Sequence, residues 1–291
     1  MDFTKYQHVE RYGMRPVEGI ERGKCWVFPK IDGSNGCVWS DGGAVRAGGR
    51  NRELSAQDGN QGFYGAVTAD PRIAGYLGKH PGHILYGEWL VPHTLRTYRQ
   101  DAWKKFYIFD VMENGVYIPY EEYRPLLEEF GLDYIPLIAS FENGSIEDFA
   151  GCLDKTGFLI DSGTGEGVVI KNYDFRSPVS GKQVWAKILT AEFAEKRGAQ
   201  PGQTLSAEQR IINDFVTADF VNKEYAKLTE DGGWSPKMTP KLFSTVFRVL
   251  VSEEMLNIID AYKQPTVNFR TLAYLVNEKV KQVKPELFGK K

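Results

Sequence analysis

The sequence has few cysteines and no long apolar run. Its only cysteines are Cys25, Cys37 and Cys152, which are too widely spaced for a CxxC pair and too few for a four-thiolate zinc site or a disulfide framework. We therefore expect buried, reduced thiols. The charged N-terminus lacks an apolar stretch of signal-peptide length, and no segment approaches the ~18 uninterrupted apolar residues of a membrane span. These absences predict a cytoplasmic protein with no membrane partner.

The sequence also lacks an excess of charge of either sign. Lys and Arg total 36 against 38 Asp and Glu, a net charge of -2 at pH 7, so no chain-wide basic excess indicates a nucleic-acid partner. Hydrophobic residues make up 42% and charged residues 25%, close to the average of globular chains, which disfavours disorder and fibrous repeats. The 291 residues suit one large or two moderate domains, at about 150 residues a domain.

Several common catalytic motifs are missing. There is no GxxxxGK[ST] phosphate loop, no GxSxG elbow and no HxxxH helical pair among the four histidines. The glycine-rich stretch from Gly163 to Gly167 reads GxGxG and precedes a β-type run. It therefore lacks the strand-to-helix context of a dinucleotide fingerprint.

Up to about Leu189 the sequence alternates short β-type runs with Gly, Asn, Asp and Pro turn signals. Helical patterns interrupt them at Tyr120–Phe130 and Ile146–Leu153. This order predicts an α+β domain over residues 1–203, built on largely antiparallel β-sheets with flanking helices. The β-type runs are Cys25–Phe28, Gly36–Trp39, Ile84–Leu90, Phe106–Val111, Gly167–Ile170 and Val184–Ile188.

The remaining residues, 204–291, predict a small all-helical C-terminal domain. Ser206 and Gln209 fit a capping box, Thr239-Pro240 fits an N-cap followed by proline, and Ser252 fits another N-cap. Apolar residues also recur at helical spacing. They are Leu242, Val246, Val249 and Leu250, followed by Leu272, Leu275, Val276 and Val280.

One short segment suggests covalent chemistry. Lys30-Ile-Asp32-Gly33-Ser34-Asn35 lies between two β-type runs. A lysine on a glycine-containing turn can present its amine to a phosphorus atom, and a flanking carboxylate can order metal or water. Taken alone, the segment fits an ordinary turn with a solvated lysine equally well.

Further elements follow in a characteristic order. They are Arg50 within Gly48–Leu54, Gly87-Glu88-Trp89, Phe106–Val111 with Phe109 and Asp110, Glu166–Lys171, and Val184–Ile188 with Lys187. Together with the Lys30 turn, this series resembles the covalent nucleotidyltransferase superfamily of ATP-dependent ligases and RNA capping enzymes. It is most similar to the RNA ligase 2-like family found in phages and other microbes. The resemblance covers about residues 24–189 and implies a nucleotidyltransferase (ATP-grasp-like ligase) domain.

Two positions depart from the family pattern. The family often has a Lys-x-Lys pair in the last element, but Trp185 stands in the first of those places, so only Lys187 carries over. The position before the nucleophile, often acidic in this family, is Pro29.

The resemblance implies ATP and Mg²⁺ or Mn²⁺ as cofactors, with AMP carried covalently on Lys30. Lys171, Lys187 and the metal would favour the neutral Lys30 amine by like-charge repulsion, and Lys187 would also stabilise charge on the α-phosphate. Asp32 and Glu166 are the candidate metal ligands, through water.

Other residues acquire binding roles by the same resemblance. Phe109 would stack on adenine and Glu88 would bind the ribose hydroxyls, while Glu166 and Lys171 would also contact the nucleotide. Arg50 would hold the RNA 5′-phosphate, since its planar fork suits bidentate contacts. Asn35 would position the reacting ends. Charge alone, and not the resemblance, nominates Arg52 to contact the strand, and a solvated surface position explains it equally well.

The helical tail guides the choice among superfamily members. DNA ligases and capping enzymes usually continue into a β-barrel, which would appear as several short alternating strands. The RNA ligase 2-like family instead has a helical domain at this place, and the resemblance implicates that domain in sealing phosphorylated ends. We therefore predict a monomeric ATP-dependent RNA ligase that joins 3′-hydroxyl to 5′-phosphate ends, at nicks in duplex RNA. It would act in the cytoplasm, including that of a phage-infected host. A DNA ligase or mRNA guanylyltransferase stays an alternative, as does a non-catalytic RNA-binding module, although such a module has no need of a nucleophile.

Overall fold

The computed structural model of the protein describes residues 2–57, 59–91, 98–161, 163–190, 206–229, 233–263 and 265–288. The chain divides into two compact units, the first formed by residues up to Ile188 and the second mainly by residues from Leu189 onwards. The predicted domain boundary between residues 203 and 204 lies outside the described residues. The domain limits therefore remain a prediction.

The first unit contains two five-stranded β-sheets, with strand orders β1-β10-β9-β2-β8 and β4-β3-β5-β6-β7. The described strands are β1 (Val9–Arg11), β2 (Lys24–Lys30), β3 (Ser34–Asp41), β4 (Ala44–Gly48), β5 (His83–Leu90), β6 (Lys105–Glu113), β7 (Val116–Tyr117), β8 (Ala139–Glu142), β9 (Gly167–Lys171) and β10 (Trp185–Leu189). Every pair in the second sheet is antiparallel. In the first sheet β2 is antiparallel to both neighbours, whereas β1 runs parallel to β10. The predicted α+β class with largely antiparallel sheets is confirmed.

Four described helices accompany these sheets: α1 (Phe63–Thr68), α2 (Pro71–Lys79), α3 (Tyr120–Glu129) and α4 (Ile146–Ala150). Helix α2 begins after Asp70, whose side chain accepts the Arg72 N–H, a common N-cap. Helix α4 begins with a capping box but ends at Ala150, before the predicted end at Leu153. Gly151 follows directly, and glycine has a low helix propensity.

Strand β2 carries the predicted nucleophile turn at its end. Cys25–Pro29 are all buried, so both faces of this strand are covered by other parts of the first unit. Because β2 belongs to the first sheet and β3 to the second, residues 31–33 form the crossing between the sheets. The core of this unit is rich in aromatic rings, including the fully buried Trp39 and Trp185. Large rings contribute much of the apolar area in such cores.

All three cysteines are buried free thiols, as the sequence predicts. Burial raises the pKa of Cys25 to about 11 and that of Cys37 to about 12. Both thiols therefore stay protonated and unreactive near neutral pH.

The second unit is helical over its described residues. Its helices are α5 (Ala207–Phe215), α6 (Ala218–Thr229), α7 (Thr239–Ala261) and α8 (Phe269–Val283). The predicted capping box is present, because Ser206 Oγ accepts the Gln209 N–H and the Gln209 side chain accepts the Ser206 N–H. Apolar side chains from these helices share one core. In the described part of the chain, no helix is long and apolar enough to cross a membrane.

Two predicted helix starts in this unit are wrong. The chain is already helical at Thr239, the first residue of α7. Met238, and not Thr239, therefore occupies the N-cap position. Ser252 lies inside α7 rather than at a cap. The buried positions Leu242, Val246, Leu250, Glu254 and Ile258 recur every four residues. This continuous buried face favours one long helix over the weak capping preference of a single serine.

Candidate active site

Lys30 and Glu166 meet at the end of β2. Lys30 is the last residue of that strand and lies opposite Gly167, the first residue of β9. Glu166 directly precedes Gly167, so this register brings together two residues that are 136 positions apart. Lys30 Nζ donates to Glu166 Oε2 at 2.6 Å, and the two side chains are 21% and 23% exposed. The pair is therefore sheltered but still accessible to a ligand.

The turn after Lys30 is held through its backbone. The Asp32 N–H donates to the Tyr98 hydroxyl oxygen at 2.5 Å, and the Gly33 N–H donates to Glu88 Oε1 at 3.0 Å. A Cβ atom on Gly33 would lie 2.5 Å from the Trp89 carbonyl oxygen. Glycine is therefore required here by the close approach of β5 rather than by an unusual backbone angle.

Tyr98 lies among three of the acidic residues that the sequence nominates. It is 7% exposed. Burial raises the pKa of Tyr98 well above its usual value, and the carboxylates of Asp32, Glu166 and Glu88 raise it further, whereas the Asp32 N–H opposes the shift. The three carboxylates thus lie close enough to act on one phenol together.

The second sheet carries three further candidates on adjacent strands. Asn35 of β3 lies directly opposite Glu88 of β5, and directly opposed residues share one face of a sheet. Phe109 lies on β6, the next strand, where it is half-buried beside Tyr6 with the ring centroids 4.9 Å apart. An amide, a carboxylate and a partly accessible aromatic ring are therefore carried on neighbouring strands.

Lys171 is the last residue of β9, at the opposite end of that strand from Gly167, which pairs with Lys30. It lies opposite Trp26 of β2, and four residues of a strand span about 13 Å. Its ammonium donates to Asp110 Oδ1 at 2.7 Å and to the Phe109 carbonyl oxygen at 2.5 Å. Burial lowers the pKa of Lys171, and Asp110 opposes that shift. The predicted action of Lys171 on the Lys30 amine gains no support from this placement, which pairs Lys171 with a buried acid instead.

Trp185 also hydrogen-bonds to the buried carboxylate of Asp110. Its indole Nε1 donates to Asp110 Oδ2 at 3.1 Å, and the Tyr6 hydroxyl donates to the same oxygen at 2.6 Å. A buried carboxylate needs a paired charge and hydrogen bonds of this kind. Trp185 therefore places a neutral donor where the family pattern has a lysine. Lys187, two residues further along β10, shares the same strand face and is half-buried.

The arginine candidates lie on an exposed turn after β4. The Gly49 N–H donates to the Arg52 carbonyl oxygen at 2.9 Å, which closes the turn that contains Arg50. Arg50 and Arg52 are both exposed, and nearby Arg46 forms an ion pair with Glu53. The turn presents guanidinium groups to solvent, as a phosphate-binding surface requires.

The donor set at the turn suits a metal only in part. Among the described residues, no three His, Cys, Asp or Glu side chains converge to hold a metal ion. Mg²⁺ in nucleotide sites, however, is commonly held by one or two carboxylates together with water and substrate phosphates. The carboxylates of Asp32 and Glu166 act on the same phenol, which fits such a shared arrangement. Their assignment as metal ligands stays a prediction.

These residues lie within a recognisable family segment. A family model described as RNA ligase matches residues 23–189. The chain belongs to the RNA ligase family. The matched segment begins just before β2 and ends with β10, so it contains every candidate site residue from Lys30 to Lys187. The described helices of the second unit lie outside it.

Solved structures show the same fold. Two mutants of Naegleria gruberi RNA ligase with ATP and Mn match with TM-scores of 0.51 and 0.52 and 21% identity, covering 67% and 68% of this chain. The Naegleria enzyme with PPi matches with a TM-score of 0.50 and 20% identity over 68% of this chain. These matches cover only 58% to 59% of the Naegleria chains. No curated protein matches this chain.

Sequence reasoning missed two tyrosines that contact candidate site residues or the buried acid Asp110. Tyr98 is 66 positions from Asp32, and no motif surrounds it that could signal the contact. Tyr6 is 104 positions from Asp110 and is equally hidden. Asp110, in contrast, could be found from the sequence, because it directly follows Phe109 in one of the motifs that resemble the family.

Proposed function

We propose that this protein is an ATP-dependent RNA ligase that seals 3′-hydroxyl and 5′-phosphate ends, at nicks in duplex RNA. The observation that best supports the proposal is the Lys30–Glu166 pair, with its 2.6 Å contact inside the RNA ligase segment. It joins the proposed nucleophile to a carboxylate that is also a candidate metal ligand. ATP and Mg²⁺ or Mn²⁺ are the proposed cofactors, in line with the ATP and Mn of the Naegleria structures.

In the first step, Lys30 Nζ attacks the α-phosphorus of ATP. The P–N bond forms as the bond to the β-phosphate oxygen breaks, pyrophosphate leaves, and lysyl-AMP remains. The attacking amine must be neutral, a form that Lys187 and the bound metal would favour by like-charge repulsion. Glu166 would take up the proton that the nitrogen loses as the P–N bond forms. Lys187 stabilises the negative charge that develops on the α-phosphate oxygens.

Three side chains bind the nucleotide in this proposal. The half-buried ring of Phe109 stacks on adenine, and Glu88, already bonded to the Gly33 N–H, accepts from the ribose hydroxyls. A bound divalent metal supplies positive charge that neutralises the phosphates. Asp32 and Glu166 would hold it, with water completing the shell.

The second and third steps use RNA. An oxygen of the RNA 5′-phosphate attacks the lysyl-AMP phosphorus, which frees the Lys30 amine and leaves adenylylated RNA. The 3′-hydroxyl then attacks the 5′-phosphate and releases AMP. The exposed Arg50 binds the 5′-phosphate, Asn35 orients the ends, and the exposed Arg52 contacts the strand.

Covalent labelling tests this proposal. The protein is incubated with ATP labelled at the α-phosphate and Mg²⁺ or Mn²⁺, then denatured. We expect an acid-labile label that disappears in Lys30→Ala, because the amine is the attacking group. Lys24→Ala is the matched control, since Lys24 begins the same strand but is exposed and paired with Glu121; it should label like the wild type.

The outcomes also discriminate the alternatives. Absence of a covalent label with every divalent metal would overturn the ligase and favour a non-catalytic RNA-binding module. Labelling from GTP instead of ATP would favour an mRNA guanylyltransferase. Faster sealing of nicked DNA than of nicked RNA would favour a DNA ligase. The monomeric state and the cytoplasmic location remain predictions, and light scattering of the purified protein tests the first.

A further inference from the structure

We propose that Tyr98 is a positioning residue for the adenylylation of Lys30, and that its hydroxyl acts by holding the backbone of Asp32. This inference rests on the function proposed above. It concerns a residue that belongs to none of the motifs on which that function depends.

The Tyr98 ring is fixed by structure outside the nucleophile strand. It is 7% exposed and packs edge-on against Trp103, with the ring centroids 5.5 Å apart. Tyr98 also forms a β-bridge with Ile160, and the next residue, Arg99, donates its N–H to the Leu159 carbonyl oxygen at 2.8 Å. These contacts hold the Tyr98 hydroxyl in a fixed position, from which it accepts the Asp32 N–H.

The turn is anchored at two successive amides. The Asp32 N–H donates to Tyr98 and the Gly33 N–H donates to Glu88. Two residues remote in sequence therefore hold adjacent peptide groups of the turn through hydrogen bonds. Lys30 lies only two residues before Asp32, where the chain crosses between the sheets. Fixing these peptides limits the directions in which the Lys30 side chain can leave the strand. Small displacements of a nucleophile reduce rates strongly, because attack requires close alignment with the phosphorus.

The same hydroxyl lies among acids. Because its oxygen accepts the Asp32 N–H, its own proton is directed elsewhere, and the carboxylates of Asp32, Glu166 and Glu88 all act on it. A phenol can accept from an amide and donate to a carboxylate at once. Phenylalanine would fill the same space but could do neither, leaving the buried Asp32 amide without its acceptor.

The test compares Tyr98→Phe with the full-length wild type in single-turnover formation of lysyl-AMP from labelled ATP. At saturating ATP the variant should react about tenfold more slowly, while the ATP concentration for half-maximal rate changes less than about threefold, since orientation rather than nucleotide binding is lost. The melting temperatures of both proteins are recorded, and rates are compared at a temperature where both are folded. A purely structural role would lower the melting temperature and leave the saturated rate unchanged.

Tyr76→Phe is the matched control. Tyr76 is fully buried on α2, and its hydroxyl bonds to His83 Nδ1 at 2.8 Å rather than to the turn. This variant should keep the wild-type rate within about twofold, as expected away from the reacting groups.

Two results separate this inference from the proposed function. A labelled wild type with an equally fast Tyr98→Phe variant overturns the role of Tyr98 alone, as does a variant altered only in its ATP requirement. An unlabelled wild type overturns the proposed function, and the positioning role with it.

Discussion

One ion pair of the first unit and one of the helical unit differ sharply in their exposure to solvent. In the first unit, Asp110 and Lys171 form an ion pair whose side chains are 0% and 2% exposed. In the helical unit, Lys281 and Glu278 form a pair whose side chains are 45% and 44% exposed. Water solvates exposed charges and weakens their attraction, whereas buried charges depend on partners that the fold holds in place. The Asp110–Lys171 pair is thus sensitive to the loss of one charge in a way that the Lys281–Glu278 pair is not.

The units also differ in their relation to the RNA ligase family. The family match ends at residue 189, so the residues proposed for chemistry all lie in the first unit. Changes there should affect the formation of lysyl-AMP, while changes in the helical unit should affect later steps. Four variants can break or sharpen these comparisons.

The largest effect is expected for the buried ion pair. Asp110→Asn leaves the Lys171 ammonium buried without its counter-charge, which should reduce the free energy of unfolding by about 3–5 kcal/mol. Urea titration followed by tryptophan fluorescence reports mainly the first unit, because Trp234 alone among the six tryptophans lies beyond Ile188.

The exposed helical pair serves as the counterpart. Lys281→Ala should change the free energy of unfolding by less than about 0.5 kcal/mol. Helix content by circular dichroism, followed through the same titration, checks this variant. Similar losses of stability for the two variants would contradict the contrast between the two ion pairs.

An intermediate effect is expected on removing residues 204–291. Lysyl-AMP formation should persist within about threefold, because its proposed residues all lie in the first unit. The family resemblance implicates the helical domain in sealing phosphorylated ends, so sealing of 5′-phosphorylated RNA should fall more than joining of pre-adenylylated RNA. Gel assays of both substrates measure the difference, and circular dichroism confirms that the shortened chain is folded. Equal losses on the two substrates would refute this division of labour.

The smallest effect concerns acid stability of the first unit. Burial lowers the pKa of His83, the neighbouring His80 lowers it further, and Glu113 opposes the shift. The unfolded chain, with a histidine pKa of about 6.5, therefore takes up this proton first as the pH falls. The contribution of neutral His83 is full above that value and is lost as the pH falls through the lower folded pKa.

The substitution His83→Gln tests this linkage. The variant should show a shallower loss of stability between pH 7 and pH 5 than the wild type, in urea titrations monitored by tryptophan fluorescence. Parallel pH profiles for the two proteins would assign the acid sensitivity to other groups.

Local patterns predicted the elements better than their limits. The β-type run at Cys25–Phe28 lies within β2, and the helical pattern at Tyr120–Phe130 corresponds to α3. The capping box at Ser206 is present because both partners are three residues apart on one turn. The prediction at Ser252 was wrong because the preference of one serine for a cap is small beside the buried face that continues through α7.

The sequence by itself determined the α+β class, through its β-type runs and turn signals. It also nominated Lys30, Glu88 and Glu166, because the motifs that contain them resemble those of the covalent nucleotidyltransferases. Tertiary structure alone decided which groups meet. The register of β2 against β9 sets Lys30 beside Glu166 and sends Lys171 to Asp110 instead.

The same holds for the contacts that no motif announced. Tyr98 reaches the Asp32 amide, and Tyr6 and Trp185 reach Asp110, across separations of 66 to 104 positions. Strand register and packing between two sheets create such contacts, and a shift of one residue would turn each side chain to the opposite face. No local pattern records that choice, which only the folded chain makes.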